Sequence, residues 1–270
     1  MISLVEQKNR LPIFVINLDR DVVRLANIDA VLAKLGRPYE RVRAINGKLR
    51  IGLLRRVIKR PMYSSRAGKP LTPGEVGCVL SHVSALKRVI RRRLPIAVIL
   101  EDDAEWDERF DRFLRNDLVD MMQSFDVLKF EGLITGKRPA WGITLARGST
   151  ARAVLPLTGA FGTAGYAVTL EGARLLAASL GRLDEPADFV LPRSECYGFV
   201  LGETRPFLAW QGPYPTNMEP IRWEGARADG QASRRTLISR LKNRAKATLR
   251  RWAFIAATVW RHPRAANPRL

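Results

Sequence analysis

The sequence has little of the residues that build disulfide frameworks or zinc centres, with two cysteines and two histidines in 270 residues. Cys78 and Cys196 lie far apart and have no companion at a metal-binding spacing, so we expect both to be reduced thiols in a cytosol. A zinc site built from several histidines is equally unexpected, because only His82 and His262 are present. Any bound metal should therefore be a hard cation held by carboxylate oxygens.

Long apolar runs are also missing. The uncharged stretches are shorter than the roughly 20 residues that cross a bilayer, and residues 1–10 lack the apolar core of a signal peptide. We therefore expect neither a polytopic membrane protein nor a conventionally secreted one. The hydrophobic content of 46% still suffices for one sizeable core, or at most two small ones, and excludes a disordered chain.

Positive charge dominates, since 46 Lys and Arg against 26 Asp and Glu leave a formal net charge of +20. Residues 222–270 carry 13 Lys and Arg against two acidic residues, a net charge of +11. A second basic cluster, residues 48–69, has eight basic residues and no acid. Its Gly and Pro residues predict a surface loop with a short helix that could face an anionic ligand. Such an excess could attract nucleic acid, but finger, RNP and helix-turn-helix motifs are missing from the sequence, so nucleic-acid binding is an alternative only.

The basic tail has a helical pattern between Ser233 and Arg261. At 100° per residue, most of its apolar residues, including Trp252 and Trp260, share one face, and most of its basic residues lie opposite. This pattern is typical of a helix in the headgroup region of an anionic membrane. The alternative is an ordinary helix whose apolar face packs on a core, because amphipathicity alone does not distinguish core from lipid.

The remainder of the chain alternates strand and helix patterns, which predicts an α/β layer fold. The apolar runs Pro12–Leu18 and Pro95–Leu100 are typical of strands buried in a parallel sheet. Thr72, Pro73 and Glu75 form a capping box at the start of a long helix. Further strands are predicted at Tyr39–Ile45, Asp126–Glu131, Gly142–Leu145, Ala151–Leu155 and Tyr166–Leu170, and further helices at Leu25–Leu35 and Glu171–Leu180.

Three acidic residues, Glu101, Asp102 and Asp103, directly follow the strand that ends at Leu100. Ligands bind at the carboxyl ends of strands in open α/β sheets, and carboxylates there can hold Mg²⁺ or Mn²⁺ against the phosphates of a nucleotide. Strand alternation predicts Glu101 and Asp103 on one side and Asp102 on the other, provided that the strand geometry continues through these residues. The structural alternative is a solvated junction in which Asp102 or Asp103 caps a helix.

Five sequence blocks occur in an order that one known family shares. They are Phe14–Arg20 with Arg24, Ala44–Gly47, Leu71–His82 with its Gly-Glu-x-Gly-Cys-x-x-Ser-His pattern, Ile99–Ala104, and Gly162–Tyr166. In these blocks the chain resembles glycosyltransferase family 25, which includes bacterial lipooligosaccharide galactosyltransferases and the domain that galactosylates collagen hydroxylysine. The resemblance covers roughly residues 11–200 and leaves out the basic tail.

The resemblance implies a GT-A type nucleotide-sugar transferase, an α/β fold with a mixed, mostly parallel central sheet flanked by helices. It also implies a UDP-sugar donor, usually UDP-galactose, and transfer with inversion at the anomeric carbon. The acidic trio would then correspond to the DxD motif of such enzymes. Asp103 is the first candidate ligand of Mn²⁺ (or Mg²⁺), Asp102 is a second or water-mediated ligand, and Glu101 would contact the ribose or the donor sugar. Glu101 departs from a literal Asp-x-Asp.

Inverting transfer needs a base near the attacking hydroxyl. Asp188 matches an acidic position of the family and is the first candidate, with Glu131 and His82 as rivals. A helix residue bonded to the backbone is the alternative for His82. Donor contacts are predicted for Asn17, Arg20, Arg24, Ser81, Gly162, Thr163 and Tyr166. The alternatives are surface ion pairs for the arginines and the end of a strand for Thr163 and Tyr166.

We therefore expect an inverting glycosyltransferase with a domain over residues 1–221 and a membrane-associating tail over residues 222–270. It would move a sugar, galactose first among the candidates, from a UDP-sugar to the core of a lipopolysaccharide or lipooligosaccharide. A phosphorylated, lipid-linked acceptor explains the positive charge, because basic residues concentrate an enzyme where an anionic substrate lies. The expected location is the cytoplasm, peripheral on the inner face of a bacterial inner membrane. A catalytically inactive membrane-associated scaffold is the second alternative.

Overall fold

The computed structural model describes residues 11–57, 62–64, 69–132, 141–157, 159–214 and 234–262. The chain divides into two compact units, Met1–Pro215 and Thr216–Leu270. The predicted boundary between residues 221 and 222 lies outside the described residues, so the extent of the domain and of the tail stays a prediction.

The first unit alternates strands and helices, as the sequence pattern indicates. Its strands are β1 (Ile13–Asn17), β2 (Glu40–Arg43), β3 (Tyr63–Ser64), β4 (Lys69–Pro70), β5 (Ile96–Glu101), β6 (Ala104–Trp106), β7 (Val127–Lys129), β8 (Gly142–Arg147), β9 (Arg152–Pro156), β10 (Gly165–Thr169), β11 (Leu201–Arg205) and β12 (Ala209–Gln211). Its α-helices are α1 (Val22–Lys34), α2 (Gly47–Val57), α3 (Pro73–Arg91), α4 (Arg109–Asn116), α5 (Leu118–Met121), α6 (Leu170–Leu180) and α7 (Ala187–Val190). Short 3₁₀ helices cover Met122–Ser124 and Leu191–Cys196.

Eight strands form one sheet in the order β2-β1-β5-β10-β7-β11-β9-β8. β1 is parallel to β2 and β5, and β7 is parallel to β11. β10 is antiparallel to β5 and β7, and β9 is antiparallel to β11 and β8. Six of the eight strands therefore run in one direction, and β9 and β10 run in the other. The predicted α/β fold with a mixed, mostly parallel sheet flanked by helices is confirmed.

Both faces of this sheet are covered, which explains why its central strands are apolar throughout. Phe14 and Ile16 of β1 belong to a hydrophobic cluster with residues of α3 and α6. Ile13 and Val15 alternate with them and are also buried, so they face the opposite layer. A strand that is buried on both sides lacks polar alternation, as the run Pro12–Leu18 predicted.

Helix ends in the first unit follow local sequence signals. The hydroxyl of Thr72 accepts the backbone N–H of Glu75 at 3.2 Å, and the carboxylate of Glu75 accepts the backbone N–H of Thr72 at 2.6 Å. The predicted capping box at the start of α3 is thereby confirmed. Gly36, just after α1, has a φ of +63°, a left-handed conformation that glycine adopts without strain.

Both basic regions contain the predicted helix. α2 lies within the cluster of residues 48–69, and α8 (Arg234–Arg261) lies in the second unit. Leu249, Trp252 and Trp260, all on the predicted apolar face of α8, are exposed. Positions 58–61 and 65–68 of the basic cluster, and the side chains of residues 234–244, lie outside the described parts. Among the helices that the structure describes, none has the length and apolarity needed to cross a membrane.

The candidate site lies at the end of the eight-stranded sheet where most of the strands have their carboxyl ends, which we call the carboxyl edge. β1 and β5 are parallel neighbours, so their carboxyl ends, Asn17 and Glu101, meet there. β10 runs antiparallel to β5, which brings its amino end and the loop before it to the same edge. β7 and β11 are parallel, with Lys129 opposite Glu203, and they also end there. The topology thus gathers polar side chains from distant parts of the sequence.

Candidate active site

The acidic trio is divided between two groups of partners. β5 ends at Glu101, and the chain turns at Asp102 and Asp103. A single guanidinium nitrogen of Arg24, Nη1, lies 3.1 Å from Oδ1 of Asp102 and 3.3 Å from Oδ2 of Asp103. The strand geometry stops at Glu101, so the condition under which strand alternation would separate Asp102 from Asp103 is not met.

Two predicted donor-binding residues support this pair of aspartates. Nδ2 of the buried Asn17 donates to Oδ2 of Asp102 at 2.6 Å, and its Oδ1 accepts from Nε of Arg41 at 2.9 Å. The guanidinium of Arg24 also lies over the ring of Tyr214, 5.4 Å from its centroid. These contacts hold Asp102 and Arg24 in place before any ligand binds.

The aspartate pair fits the divalent cation that the sequence predicts. Asp103 is 9% exposed, and its Oδ1 has no hydrogen-bond partner among the described residues. Burial, together with the negative charge of Glu101, raises the pKa of Asp103 to about 7. A buried carboxylate oxygen without a partner is a costly feature that a hard cation would satisfy. Asp103 and Asp102 therefore stay the predicted ligands of Mn²⁺ or Mg²⁺.

Glu101 belongs to a second group, which is built around His82. Nε2 of His82 lies 3.2 Å from Oε1 of Glu101, and Nδ1 lies 3.0 Å from the hydroxyl of Tyr166. The hydroxyl of Thr163 also donates to Glu101. Burial raises the pKa of Glu101, but the hydrogen bond and charge of His82 outweigh it, so the pKa is lowered overall. The alternative of a backbone-bonded His82 is wrong, because both ring nitrogens contact side chains.

Cys78 joins this second group. It lies one turn before His82 on α3, and one ligand atom from each of Cys78, His82 and Glu101 lies within 4.8 Å of the others. These three residues form a possible metal-binding triad. Its thiol and imidazole suit a softer cation than the aspartate pair does. The isolated cysteine gave no sign of this in the sequence, although the spacing of four residues to His82 places both side chains on one helical face.

The predicted base, Asp188, lies in the first turn of α7. Its pKa is raised to about 6, mainly by burial and in smaller part by the charges of Glu75 and Glu101. The charges of Glu101 and Asp188 also raise the pKa of Cys78, whose burial contributes most. The charge of Asp188 therefore interacts with those of Glu101 and Cys78, and its pKa of about 6 lies near the range that suits a general base.

Two predicted donor-binding residues, Arg20 and Ser81, have contacts that point away from a direct role. Arg20 is half exposed and lies 3.8 Å from Asp21, which matches the surface ion pair considered for it. The hydroxyl of Ser81 donates to the carbonyl of Gly77 at 2.6 Å and accepts the N–H of Ile45 at 2.8 Å. The contact with Gly77 lies within α3, and the contact with Ile45 joins α3 to the segment after β2.

Glu131, a rival candidate for the base, is 2% exposed beneath the loop before β10. Its Oε1 accepts the N–H of Ala164 at 3.2 Å, and burial raises its pKa to about 7. The carboxylate also faces Gly162, whose φ is +102° and where an added Cβ would lie 2.5 Å from Oε2. Gly162 therefore allows the loop to approach Glu131, which is a structural role for both.

The remaining predicted residues converge on the edge of the sheet. The structure brings together Asn17, Arg24, His82, Glu101, Asp102, Asp103, Thr163 and Tyr166. Tyr166 is fully buried inside β10 and contacts His82, so it orients the imidazole from behind. Sequence reasoning missed Cys78, Tyr214, Lys129 and Glu203. The signal for Lys129 was a charged residue inside an otherwise apolar strand pattern.

Sequence comparison relates the chain to one family. The profile described as Glycosyltransferase family 25 (LPS biosynthesis protein) matches residues 10–139. Procollagen galactosyltransferase 1-B of Xenopus laevis is 30% identical over 197 residues, which are 67% of this chain and 30% of that protein. Procollagen galactosyltransferase 2 of Mus musculus is 34% identical over 138 residues, 49% of this chain and 21% of that protein.

A further relative, Inactive glycosyltransferase 25 family member 3 of Mus musculus, is 29% identical over 187 residues, 68% of this chain and 30% of that protein. The chain thus spans less than a third of the length of the curated relatives it matches.

Proposed function

The chain carries a glycosyltransferase family 25 domain, and on this premise we propose that it transfers galactose from UDP-galactose, with inversion, to the core of a lipopolysaccharide or lipooligosaccharide. The observation that carries the proposal is the buried aspartate pair at the carboxyl edge of the sheet, with Oδ1 of Asp103 lacking a partner among the described residues. Nucleotide ligands of open α/β sheets bind at this edge. The names of the procollagen galactosyltransferases support a galactosyl donor.

The residues of the site can divide the work of the transfer. The acceptor hydroxyl attacks the anomeric carbon, and the bond from that carbon to the diphosphate oxygen breaks, so UDP leaves with the electron pair. Asp188 takes the proton of the attacking hydroxyl, since its pKa of about 6 leaves it mostly ionised at neutral pH. Mn²⁺ or Mg²⁺ on Asp103 and Asp102 would supply positive charge against the diphosphate. Arg24 adds a second positive charge beside the same carboxylates.

A catalytically inactive scaffold is the rival function, and one relative carries the word inactive in its name. The burial and raised pKa values of Asp188 and Asp103 favour an enzyme, because a scaffold has no need to hold carboxylates with pKa values of about 6 and about 7. Measurements of donor binding and of turnover distinguish the enzyme from the scaffold.

We expect UDP-galactose with Mn²⁺ to raise the melting temperature of the full chain. A donor at 100 times its Kd would stabilise the native state by about 2.7 kcal/mol, or roughly 5 to 10 °C for a protein of this size. A thermal-shift screen of several UDP-sugars, with Mn²⁺ and with EDTA, measures this, and release of UDP measures turnover. The variant Asp103→Ala is the control, and it should lose the part of the thermal shift that depends on Mn²⁺. A chain that neither shifts nor releases UDP with any UDP-sugar would contradict the proposal.

The acceptor and the location form the second part of the proposal. The net charge of +11 over residues 222–270 would draw the chain to anionic lipid. The exposed Leu249, Trp252 and Trp260 of α8 supply apolar groups of the kind that enter a headgroup region. Both features support a peripheral place on the inner face of a bacterial inner membrane, where a phosphorylated lipid-linked acceptor would lie.

Deleting residues 231–270 should release the protein from anionic vesicles and leave turnover of a soluble acceptor within about threefold. Co-sedimentation with phosphatidylglycerol vesicles measures binding, and phosphatidylcholine vesicles are the control surface. The double variant W252A/W260A is a matched control that keeps every charge, and it should weaken binding by roughly tenfold or more, since burying each ring is worth about 1–3 kcal/mol. Unchanged sedimentation of the deleted form would refute the role given to the tail.

A further inference from the structure

Three charged side chains are buried beneath the loop that carries Thr163. This loop, residues 159–164, connects β9 to β10, and we call it the Thr163 loop. Lys129 on β7 and Glu203 on β11 are both 0% exposed, and Glu131 is 2% exposed. Lys129 and Glu203 lie opposite each other in the parallel pair β7–β11. Nothing in the proposed transfer step uses Lys129 or Glu203.

Lys129 binds the loop through its backbone carbonyls. Its Nζ donates to the carbonyl oxygen of Ala160 at 2.8 Å and to that of Phe161 at 3.1 Å. The same Nζ lies 3.6 Å from Oε1 of Glu131. The ammonium group has three donors, and these three contacts can use all of them.

Glu203 and Glu131 bind the loop through its backbone N–H groups. Oε1 of Glu203 accepts the N–H of Ala160 at 2.7 Å, and its Oε2 accepts from Nη2 of Arg205 at 2.5 Å. Oε1 of Glu131 accepts the N–H of Ala164 at 3.2 Å. Two carboxylates and one ammonium therefore satisfy four backbone groups within five residues of the loop.

The other side of the loop reaches the acidic trio. The carbonyl of Ala164 accepts the N–H of Glu101 at 2.9 Å, and the hydroxyl of Thr163 donates to the carboxylate of Glu101. The loop thus lies between the buried charges and the residue that begins the trio. A shift of its backbone would move the hydroxyl of Thr163 relative to Glu101.

We propose that Lys129 and Glu203 are positioning residues that set the backbone of the Thr163 loop, so that Thr163 holds Glu101 in place for donor binding and transfer. This inference rests on the proposed function. Burying an ion costs several kcal/mol, and apolar residues of similar size are often at least as stabilising as a buried ion pair. The contacts with the loop backbone explain why charged residues occupy positions 129 and 203. Apolar side chains there would leave carbonyl and N–H groups of the loop without hydrogen-bond partners.

The test is a double-mutant cycle between Lys129→Met and Thr163→Val. Each single variant should lower kcat for the donor by roughly 10- to 100-fold, as expected when a contact to an active-site carboxylate is lost or misplaced. If Lys129 acts through Thr163, the double variant should lose no more activity than the worse single variant. Losses that multiply would overturn the inference.

A second pair of variants covers the case in which Lys129→Met does not fold. Glu203→Gln keeps an oxygen that can accept the N–H of Ala160, so its kcat should stay within about threefold of the wild type. Glu203→Leu removes the acceptor, so its kcat should fall as far as the kcat of Thr163→Val. Equal activity of the Gln and Leu variants would contradict a positioning role.

Asp117→Asn is the matched control for loss of a buried carboxylate. Asp117 is 6% exposed and accepts the backbone N–H groups of Ser149 and Thr150, in the turn between β8 and β9. Its replacement should lower the melting temperature without changing kcat. A kcat loss equal to that of Lys129→Met would mean that activity reports stability alone.

Amide hydrogen exchange makes the inference testable apart from the proposed function. The amides of Ala160 and Ala164 should exchange at least tenfold faster in Glu203→Leu than in the wild type, whereas amides of β1 should stay unchanged. If the wild type showed no turnover but Glu203→Leu still showed this selective rise in exchange, the proposed function would be refuted. The role of Glu203 in holding the Thr163 loop would still stand. Unchanged exchange at both amides would refute the loop support, whatever the activity.

Discussion

Asp103→Asn should abolish donor turnover and at the same time make the metal-free protein more stable. The loss of turnover follows because the variant removes a charged ligand from the pair that would hold the cation, and such a cation is worth several kcal/mol of charge stabilisation. We therefore expect at least about a 10³-fold decrease in kcat/KM. UDP release at saturating Mn²⁺ measures it.

The gain in stability follows from the direction of the pKa change. Burial raises the pKa of Asp103 from 3.8 to about 7, so the folded state holds a proton that the unfolded state has already lost. Stability therefore falls as the pH rises from about 4 to about 7, and it stays low above that range. Removing this charge should raise the free energy of unfolding at pH 8 by roughly 1 to 4 kcal/mol. The upper end of this range takes about 1.4 kcal/mol for each unit of the pKa change.

Thermal unfolding in EDTA at pH 5 and pH 8 measures this gain, which should be largest at pH 8. Asp107→Asn is the matched control with the opposite sign, because the hydrogen bond from Arg109 lowers the pKa of Asp107. That variant should be no more stable than the wild type at pH 8. An Asp103→Asn protein that is less stable than the wild type at pH 8, or that keeps its turnover, would contradict the role given to Asp103.

Asp188→Asn should lower kcat by roughly 10²- to 10⁴-fold, the usual contribution of a general base. Donor affinity should stay within a few fold, because a base contacts the acceptor hydroxyl and not the nucleotide. In the wild type, kcat should rise with pH through about 6, since the base acts in its deprotonated form and burial raises its pKa to that value. This acidic limb should vanish in the variant.

The pH profile of kcat at saturating Mn²⁺ and donor measures the limb, and isothermal titration with UDP measures donor affinity. Glu131→Gln is the comparison variant, because Glu131 is also buried with a pKa of about 7 but contacts the backbone of Ala164. If Glu131→Gln lost the acidic limb while Asp188→Asn kept it, Glu131 would be the base instead.

Local signals in the sequence were enough for most of the first unit. The capping box at Thr72 and Glu75 and the glycine at position 36 place helix ends through contacts within a few residues. The apolar run at Pro12–Leu18 predicted a strand buried on both faces, and β1 is such a strand. Such features depend on neighbouring residues, so the order of residues is sufficient to predict them.

The predicted partners of the acidic trio show where this reasoning stops. Alternation along β5 was extended through Asp103, but the strand ends at Glu101, and Asp102 and Asp103 both reach Arg24. The end of a strand is set by what packs beyond it, here the turn and the segment that leads into β6. The change from apolar to acidic residues marks this end in the sequence to within one residue, but it does not show which partner each carboxylate meets.

The sequence by itself determined the α/β layers, the placement of three carboxylates after a buried strand, and the basic amphipathic helix of the second unit. Only the tertiary structure decided that Glu101 faces His82 while Asp102 and Asp103 face Arg24, and that Lys129 and Glu203 are buried beneath the Thr163 loop. Lys129 and Glu203 come together because β7 and β11, which are far apart in the chain, are neighbours in the sheet, whereas Arg24 and His82 come from helices α1 and α3. The energy of each such contact depends on groups distant in sequence, which a local pattern does not contain.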